Sequence, residues 1–398
     1  MKQAVKILLA VVLVLALTGC WNRRELDTLG IVVGIGIDAG QEEDSIRVTA
    51  QLVDAGNLSE GGSKEGGSGG GSSKPYVNLS EDGSNILSIF RSFTHSISRK
   101  LYIPHTQVLI FGEEKARSGI RESMDFFLRD HESRMTVQLL VAKGTAEDAL
   151  AYEPNLADIP AVDISDILGG QAATSQTAEL TIMQFMQHLT TSGDCAAVAP
   201  LIEMKEEGDE KQAYIYGGAI FEKDTMVGEL DLDQTRGYLW VTDKIKSGIE
   251  RLEVKDENVN MEIIRSSSSM KIEPQADGSL AVKVEINIVT NIASFTGAKD
   301  MSTKENVELI KSCLQQQITN EIFSAKAVGD SLNVDIFGIN TRFQRQYPKL
   351  WGELRPVWKE QVLPNIKIRP EIQVTIGGLG RMNKPDYPRE ELELAEKE

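Results

Sequence analysis

The chain has 398 residues, of which 41% are hydrophobic, and its formal net charge at pH 7 is −17. This length and composition can bury a substantial core, which excludes a disordered protein and favours two or three domains. The acidic surface is repelled by nucleic acid and by anionic lipid headgroups, so nucleic acid is excluded as a partner. Besides Cys20 there are only Cys195 and Cys313, which cannot form a disulfide framework and are not expected to pair with each other.

Residues 1–19 are organised as a signal peptide. Lys2 and Lys6 form a positively charged start, and an apolar run extends from Ile7 to Leu17. That run is about half of the roughly 20 residues that a membrane-spanning helix needs. A cleaved leader is therefore expected here, and a permanent transmembrane helix is not.

The leader ends in Leu17-Thr18-Gly19-Cys20, which resembles the lipobox of bacterial lipoproteins. The resemblance implies cleavage before Cys20 and a diacylglyceryl group on its thiol, with a further N-acyl chain left open. Two acyl chains hold a protein on a membrane where one chain holds it only marginally. Arg23 and Arg24 offer local attraction to headgroups. The alternative is an ordinary secretory signal in which the cysteine has no role.

The first predicted domain, residues 20–205, alternates strand and helix patterns. Leu29–Ile37 is strand-like, and Ile46–Leu52 alternates apolar and polar residues at the period of a half-buried strand. Asp38-Ala39-Gly40 is typical of a turn, so the two segments predict a β-hairpin. Residues 61–73 are rich in Gly and Ser and predict a flexible loop. Later patterns predict helices at 86–97, 120–128, 162–168 and 180–189, and strands at 108–111, 135–142 and 198–204.

A charged, glycine-containing run at 206–211 predicts a domain boundary. A small middle domain is predicted at 212–257, with a hairpin over 214–230 and a short helix near 234–240. The C-terminal domain, 258–380, has a strand with clean alternation at 282–288, helices after it, and a last strand at 366–376 in which Pro370 indicates an edge position. Residues 381–398 form an acidic tail. The predicted fold class is α+β, with three domains that each combine a mixed or antiparallel β-sheet with packed helices, after a lipoprotein signal peptide.

One segment has the spacing of a dinucleotide-binding fingerprint. Gly34-Ile35-Gly36-Ile37-Asp38-Ala39 fits the pattern of glycines, but that fingerprint requires a helix to begin at the glycines. The residues that follow, Gly40-Gln41-Glu42-Glu43, lead into a strand pattern instead. The glycines are therefore expected to allow close packing or a bulge within a strand.

No constellation in the sequence predicts catalysis or metal binding. The four histidines are isolated, and neither a nucleophile elbow nor a Walker A loop occurs. Asp163 and Asp166 are three residues apart, a spacing more typical of a solvated helix face. Trp351 and Trp358, seven residues apart, share one helical face, which is more often core but could be an exposed partner site. No catalytic residue, metal or cofactor is expected beyond the lipid on Cys20.

Several segments resemble the C subunit of bacterial spore germinant receptors, the Ger(x)C spore germination lipoprotein family. The most specific is Cys20-Trp21-Asn22-Arg23-Arg24-Glu25-Leu26, which runs into the strand-like segment ending at Asp38. Others are Arg99-Lys100-Leu101 with His105, Asp335-Ile336-Phe337-Gly338 and Tyr347-Pro348-Lys349-Leu350-Trp351. The loop at 61–73 departs from the family pattern.

The resemblance implies a non-enzymatic lipoprotein at the extracytoplasmic face of the spore inner membrane. It implies assembly with an integral-membrane A subunit and a transporter-like B subunit into a nutrient-sensing receptor needed for spore germination. Partner contacts are predicted at Trp21, Arg23, Arg24, Trp351 and Trp358. The alternatives are a solute-binding lipoprotein of a membrane transporter and an extracytoplasmic hydrolase.

Overall fold

The computed structural model describes residues 28–54, 74–190, 195–208, 210–275, 279–296 and 303–378, together with positions 3, 4 and 6. The predicted lipobox, the Gly/Ser-rich loop and the acidic tail lie outside these residues. In the described part of the chain, no helix combines the length and the apolar character that crossing a membrane requires.

The first sheet is built from the elements up to residue 230. Its strands are β1 (Leu29–Ala39), β2 (Ile46–Val53), β3 (Tyr76–Gly83), β4 (Lys100–Tyr102), β5 (Val108–Gly112), β6 (Gln138–Ala142), β7 (Ala197–Glu207), β8 (Glu210–Glu222) and β9 (Thr225–Leu230). The helices between them are α1 (Ile86–Ser92), α2 (Glu113–Ser118), α3 (Arg121–Arg129), α4 (Ala146–Ala149), α5 (Pro160–Gly170) and α6 (Ile182–Thr190).

The strand order of this mixed sheet is β3-β2-β1-β5-β6-β7-β8-β9, and β4 also pairs with β1. The central pairs β1–β5, β5–β6 and β6–β7 are parallel, whereas β1–β2, β2–β3, β7–β8 and β8–β9 are antiparallel. Every residue of β5 is buried because helices cover both faces, which is why the central strands are apolar on both sides. One apolar core lies on each face of the sheet.

The second sheet has the order β10-β11-β12-β13. Its strands are β10 (Gly248–Val254), β11 (Glu257–Pro274), β12 (Leu280–Phe295) and β13 (Lys367–Gly378), and its helices are α7 (Leu232–Val241), α8 (Lys304–Leu332), α9 (Ile339–Gln346) and α10 (Pro348–Leu354). The chain between α10 and β13 forms 3-10 and π turns. Among the described strands, β13 pairs only with β12, in parallel, so the edge position predicted for Pro370 is confirmed.

The segment predicted as a middle domain, 212–257, has no sheet of its own. β8 and β9 extend the first sheet, and β10 begins the second. Residues 206–211, where a domain boundary was predicted, lie at a hairpin turn, since β7 and β8 pair up to Glu207 and Glu210 around Gly208, whose φ is +68°. The described residues thus contain two sheets where three were predicted, while the α+β class is confirmed. The division into three domains itself stays a prediction.

The two sheets share one hydrophobic core. Val198, Ile220 and Leu230 of the first sheet are in the same buried cluster as α7, α8 and the inner face of the second sheet. α7 directly follows β9 and packs along α8. Gly237 of α7 is required at this contact, because a Cβ there would lie 2.0 Å from the main-chain oxygen of Glu321 in α8. This close helix pair is part of the core that the two sheets share.

Candidate functional site

The residues predicted to carry the lipid anchor lie outside the described residues. These are the lipobox positions and the basic segment after them, namely Leu17, Thr18, Gly19, Cys20, Trp21, Arg23 and Arg24. Their roles in anchoring and partner contact stay predictions.

The structure contradicts a partner surface at Trp351 and Trp358. Their exposed fractions are 5% and 1%, and their rings meet edge to face with centroids 5.0 Å apart. Phe343 stacks on Trp358 with centroids 5.3 Å apart. Both indoles are buried in the core, so a partner cannot contact them. The prediction of a partner site here is wrong, and the interpretation of the spacing as a core face is confirmed.

The paired glycines of the fingerprint-like segment lie within β1, and no helix follows them. A Cβ on Gly34 would lie 2.6 Å from the Cβ of Ala161 in α5, and a Cβ on Gly36 would lie 3.0 Å from the Cβ of Ala146 in α4. The pairing of β1 with β2 also shifts between Val32 and Gly34. Close packing or a bulge was predicted here, and the structure contains both.

Asp38, at the end of the same segment, has a structural role. Its carboxylate accepts hydrogen bonds from the backbone N–H groups of Ala146 (2.7 Å) and Glu147 (3.0 Å) at the start of α4. Burial raises the pKa of this carboxyl, and the two backbone donors oppose that rise. Gly112 lies beside it, because a Cβ there would be 2.0 Å from an Asp38 oxygen. The hydrogen bonds of the Asp38 side chain hold the start of α4 against the sheet.

A second segment of the resemblance, at residues 335–338, joins the two sheets. The buried Asp335 carboxylate accepts from the N–H groups of Phe337 (3.2 Å) and Asn340 (2.7 Å), which fixes the start of α9. The main-chain oxygen of Asp335 accepts from the N–H of Ala196, just before β7. Burial raises the pKa of Asp335 to about 6. Cys195 lies at this joint as a free thiol, and Cys313 is also free.

Two buried glutamates meet one arginine between α7, β10 and α8. Arg236 lies 2.7 Å from Glu250 and 3.6 Å from Glu321, and Trp240 donates its indole N–H to Glu321 at 2.9 Å. Burial raises the pKa of Glu250 to about 7, against the opposing effect of Arg236. Burial and the charge of Glu250 raise the pKa of Glu321 to about 8. The cluster is enclosed, so it stabilises the helix contact and offers no access to a substrate.

Within the described residues, no three His, Cys, Asp or Glu side chains are arranged to hold a metal ion. A groove of about 1540 Å³ lies on the first sheet. It lies between α1 on one side and α2 and α3 on the other, and is open to solvent. At one end is the β1–β2 turn with Glu42, Glu43 and Asp44, and at the other is β4 with Lys100 and Leu101.

The groove combines an apolar floor with an acidic rim. Phe90 and Phe126 meet edge to face in it, with centroids 5.5 Å apart, and Leu87 is 49% exposed beside them. Nine carboxylates line the groove, against five Lys or Arg side chains. The sequence analysis missed this site. Its one sequence signal is the width of the apolar stripe in α1, where Leu87 accompanies the core residues Ile86 and Ile89.

Comparison with known families covers both halves of the molecule. The family model described as "Spore germination protein N-terminal domain" matches residues 22–204, and the one described as "Spore germination B3/ GerAC like, C-terminal" matches residues 216–380. The chain belongs to the Ger(x)C family of spore germination proteins. The relatives of this Ger(x)C chain include "Spore germination protein YndF" of Bacillus subtilis (strain 168), 24% identical over 95% of this chain and 97% of that protein.

A second relative from Bacillus subtilis (strain 168), "Spore germination protein KC", is 25% identical over 96% of this chain and 97% of that protein. Among solved structures, "Crystal Structure of the GerBC protein" matches with a TM-score of 0.56 at 15% identity, covering 86% of this chain and 97% of that chain. The likeness to that structure shows a shared fold. Membership of the Ger(x)C family supports a role in spore germination.

Proposed function

We propose that this Ger(x)C chain is a non-enzymatic subunit of a nutrient-sensing spore germinant receptor and is needed for germination. A diacylglyceryl group on Cys20 holds it at the extracytoplasmic face of the spore inner membrane, where it binds the integral-membrane A and B subunits. The observation that carries the proposal is the match of two spore germination family models to the N-terminal and C-terminal halves of one chain.

The chemistry of the described residues supports an interaction role. The buried carboxyl groups of Asp38, Asp335, Glu250 and Glu321 are all hydrogen-bonded to backbone or side chains of the fold. A catalytic carboxyl must instead reach a substrate in a cleft. These groups stabilise helix starts and element contacts.

The proposed anchor explains how such a subunit acts without strong interfaces. Each buried methylene contributes on the order of 0.8 kcal/mol to membrane binding, so two acyl chains retain the protein durably. Confinement beside integral partners raises their effective concentration without adding a contact. Interfaces of modest affinity are then sufficient for assembly.

The test replaces Cys20 by alanine in the full chain. Cys20→Ala should block lipidation, release the mature domains from the membrane fraction and strongly slow germination of spores that carry it. Cys313→Ala is the matched control, because Cys313 is a free thiol on α8 and is not part of the lipobox. Membrane fractionation of spores and nutrient-triggered loss of optical density measure the two effects. Normal membrane retention and germination of Cys20→Ala would refute the proposal.

A solute-binding lipoprotein receives less support than a receptor subunit. Such a protein needs two comparable lobes about a cleft, whereas a nine-stranded and a four-stranded sheet share one core here. Calorimetric titration with amino acids and sugars separates the two functions, since tight binding by the isolated chain would favour the transporter role.

A further inference from the structure

The groove on the first sheet is long as well as large. Its β1–β2 turn and its β4 end lie at opposite ends of β1, since Leu29 pairs with Lys100 and Ala39 pairs with Ile46 at the turn. β1 has 11 residues, so these ends are about 35 Å apart at the rise of a β-strand. Small-molecule pockets enclose their ligands in about 300–1000 Å³. An open groove of about 1540 Å³ along a whole strand fits a polypeptide segment better.

The floor of the groove provides apolar contact area. Leu101 and Ile103 lie beneath it, while Phe90 and Phe126 are partly exposed along it. Leu87 leaves about half of its surface in solvent. Aromatic and aliphatic side chains in a concave site are typical anchors for the apolar face of a docked helix.

The rim of the groove carries carboxylates that the fold does not use. Three of its five basic side chains already pair with groove acids, as Arg121–Asp224, Arg129–Asp125 and Lys100–Glu132. Five exposed acids of the groove have no ion pair among the described residues, and these are Glu42, Glu43, Asp44, Glu114 and Glu122. The free charge of the groove is therefore negative, and it complements a cationic partner.

Charge also decides between possible occupants. An anionic membrane surface would be repelled by the acidic rim. A second copy of this chain is disfavoured because the chain carries a net charge of −17. A partner segment with an apolar face and flanking Lys or Arg side chains satisfies both the floor and the rim.

We propose that this groove is the docking surface for a basic, amphipathic segment of a receptor partner subunit. The proposal rests on the proposed function and adds the place and the chemistry of the contact. Leu87, Phe90 and Phe126 take the apolar face of the segment, while Glu114 and Glu122 pair with its basic side chains. The contact should weaken with ionic strength, because the exposed carboxylates act through a screened field.

Photo-cross-linking in spores tests the docking surface in the full, lipidated chain. A benzophenone amino acid replaces Leu87 in one strain and Leu156 in a second, because Leu156 is 98% exposed and lies outside the groove. On irradiation, position 87 should cross-link to an A or B subunit within a peptide rich in Lys or Arg, and position 156 should not. Cross-links from position 87 only to lipid or to the same chain, or equal cross-linking at both positions, would overturn the proposal.

Charge reversal tests the acidic rim with a matched control. Glu114→Lys combined with Glu122→Lys should reduce co-purification of the A and B subunits by about tenfold or more, because like charges then oppose across the contact. Glu353→Lys combined with Glu360→Lys makes the same charge change at exposed sites outside the groove and should leave co-purification intact. Equal effects of the two pairs would overturn the proposal.

Co-purification of the wild-type chain distinguishes failure of the docking surface from failure of the proposed receptor function. If the wild-type chain does not co-purify with an A or B subunit, the receptor function and the docking surface both fail. If it does co-purify while the groove variants behave as their controls do, only the docking surface fails.

Discussion

Arg236, Glu250 and Glu321 form a buried cluster with more acid than base. When both glutamates are ionised, one arginine must balance two negative charges inside the protein. The folded state therefore keeps a proton on the two glutamates near neutral pH. This agrees with the raised pKa values, about 7 for Glu250 and about 8 for Glu321. Asp233 adds to the rise at Glu250. In the unfolded chain a glutamate titrates at about 4.3.

The sign of the resulting pH dependence follows from these raised pKa values. The folded state binds more protons than the unfolded state between about pH 4.3 and 8, so the stabilising contribution is complete at low pH and is lost as pH rises through 7 to 8. Glu321→Gln keeps an acceptor for Trp240 and removes the second charge. We expect the stability advantage of this variant over the wild type to grow from pH 6 to pH 9.

Urea denaturation across this pH range measures the difference between the two proteins. Glu308→Gln on the exposed side of the same helix is the control, because Glu308 pairs only with Lys311 at the surface. A pH-independent difference between Glu321→Gln and the wild type would show that the cluster does not hold the proton. Burial lowers the pKa of His188 to about 4, so this histidine affects stability at lower pH. Because all three proteins contain it, it does not contribute to the differences between them.

The contact between β1 and α5 depends on the missing side chain of Gly34. A methyl group there would lie 2.6 Å from the Cβ of Ala161, so Gly34→Ala must push α5 away from the sheet. We expect this substitution to destabilise the protein by about 1–3 kcal/mol. Gly169→Ala, in the same helix but with open space around it, should be neutral or stabilising by about 1 kcal/mol. Chemical denaturation compares them, and equal stabilities would contradict the close approach.

Strands and helices with clean periodicity could be predicted from the sequence, and others could not. The hairpin of β1 and β2 and the edge strand β13 have apolar alternation and turn or proline signals, and the structure contains them. β4 has three residues, too few to display a period. β10 was missed because its inward face includes Glu250, whose charge breaks the apolar alternation and is balanced only by Arg236 from α7.

The groove could not be predicted because no single segment contains it. The β1–β2 turn, α1, β4, α2 and α3 contribute to it, and their proximity depends on the strand order of the sheet. The core role of Trp351 and Trp358 was easier to anticipate, since two large aromatic rings at one helical spacing usually bury together. Local patterns thus predicted the interior better than the surface.

The shared core predicts how the whole molecule unfolds. The buried cluster that contains α7 and α8 takes residues from both sheets, and Asp335 ties the start of β7 to α9. Separating the sheets would expose this core, so we expect one cooperative transition in scanning calorimetry, with calorimetric and van't Hoff enthalpies equal. Two resolved transitions would contradict the shared core. Chains cut after residue 230 should aggregate for the same reason.

The position of β1 has a geometric consequence for a lipidated chain. β1 begins nine residues after Cys20, and an extended chain spans at most about 3.5 Å per residue. If Cys20 is acylated as proposed, the first residues of β1, and β4 beside them, lie within about 30 Å of the acylated thiol. A partner segment bound at the β4 end of the groove would then lie within this distance of the acylated thiol, a range that includes loops that flank transmembrane helices.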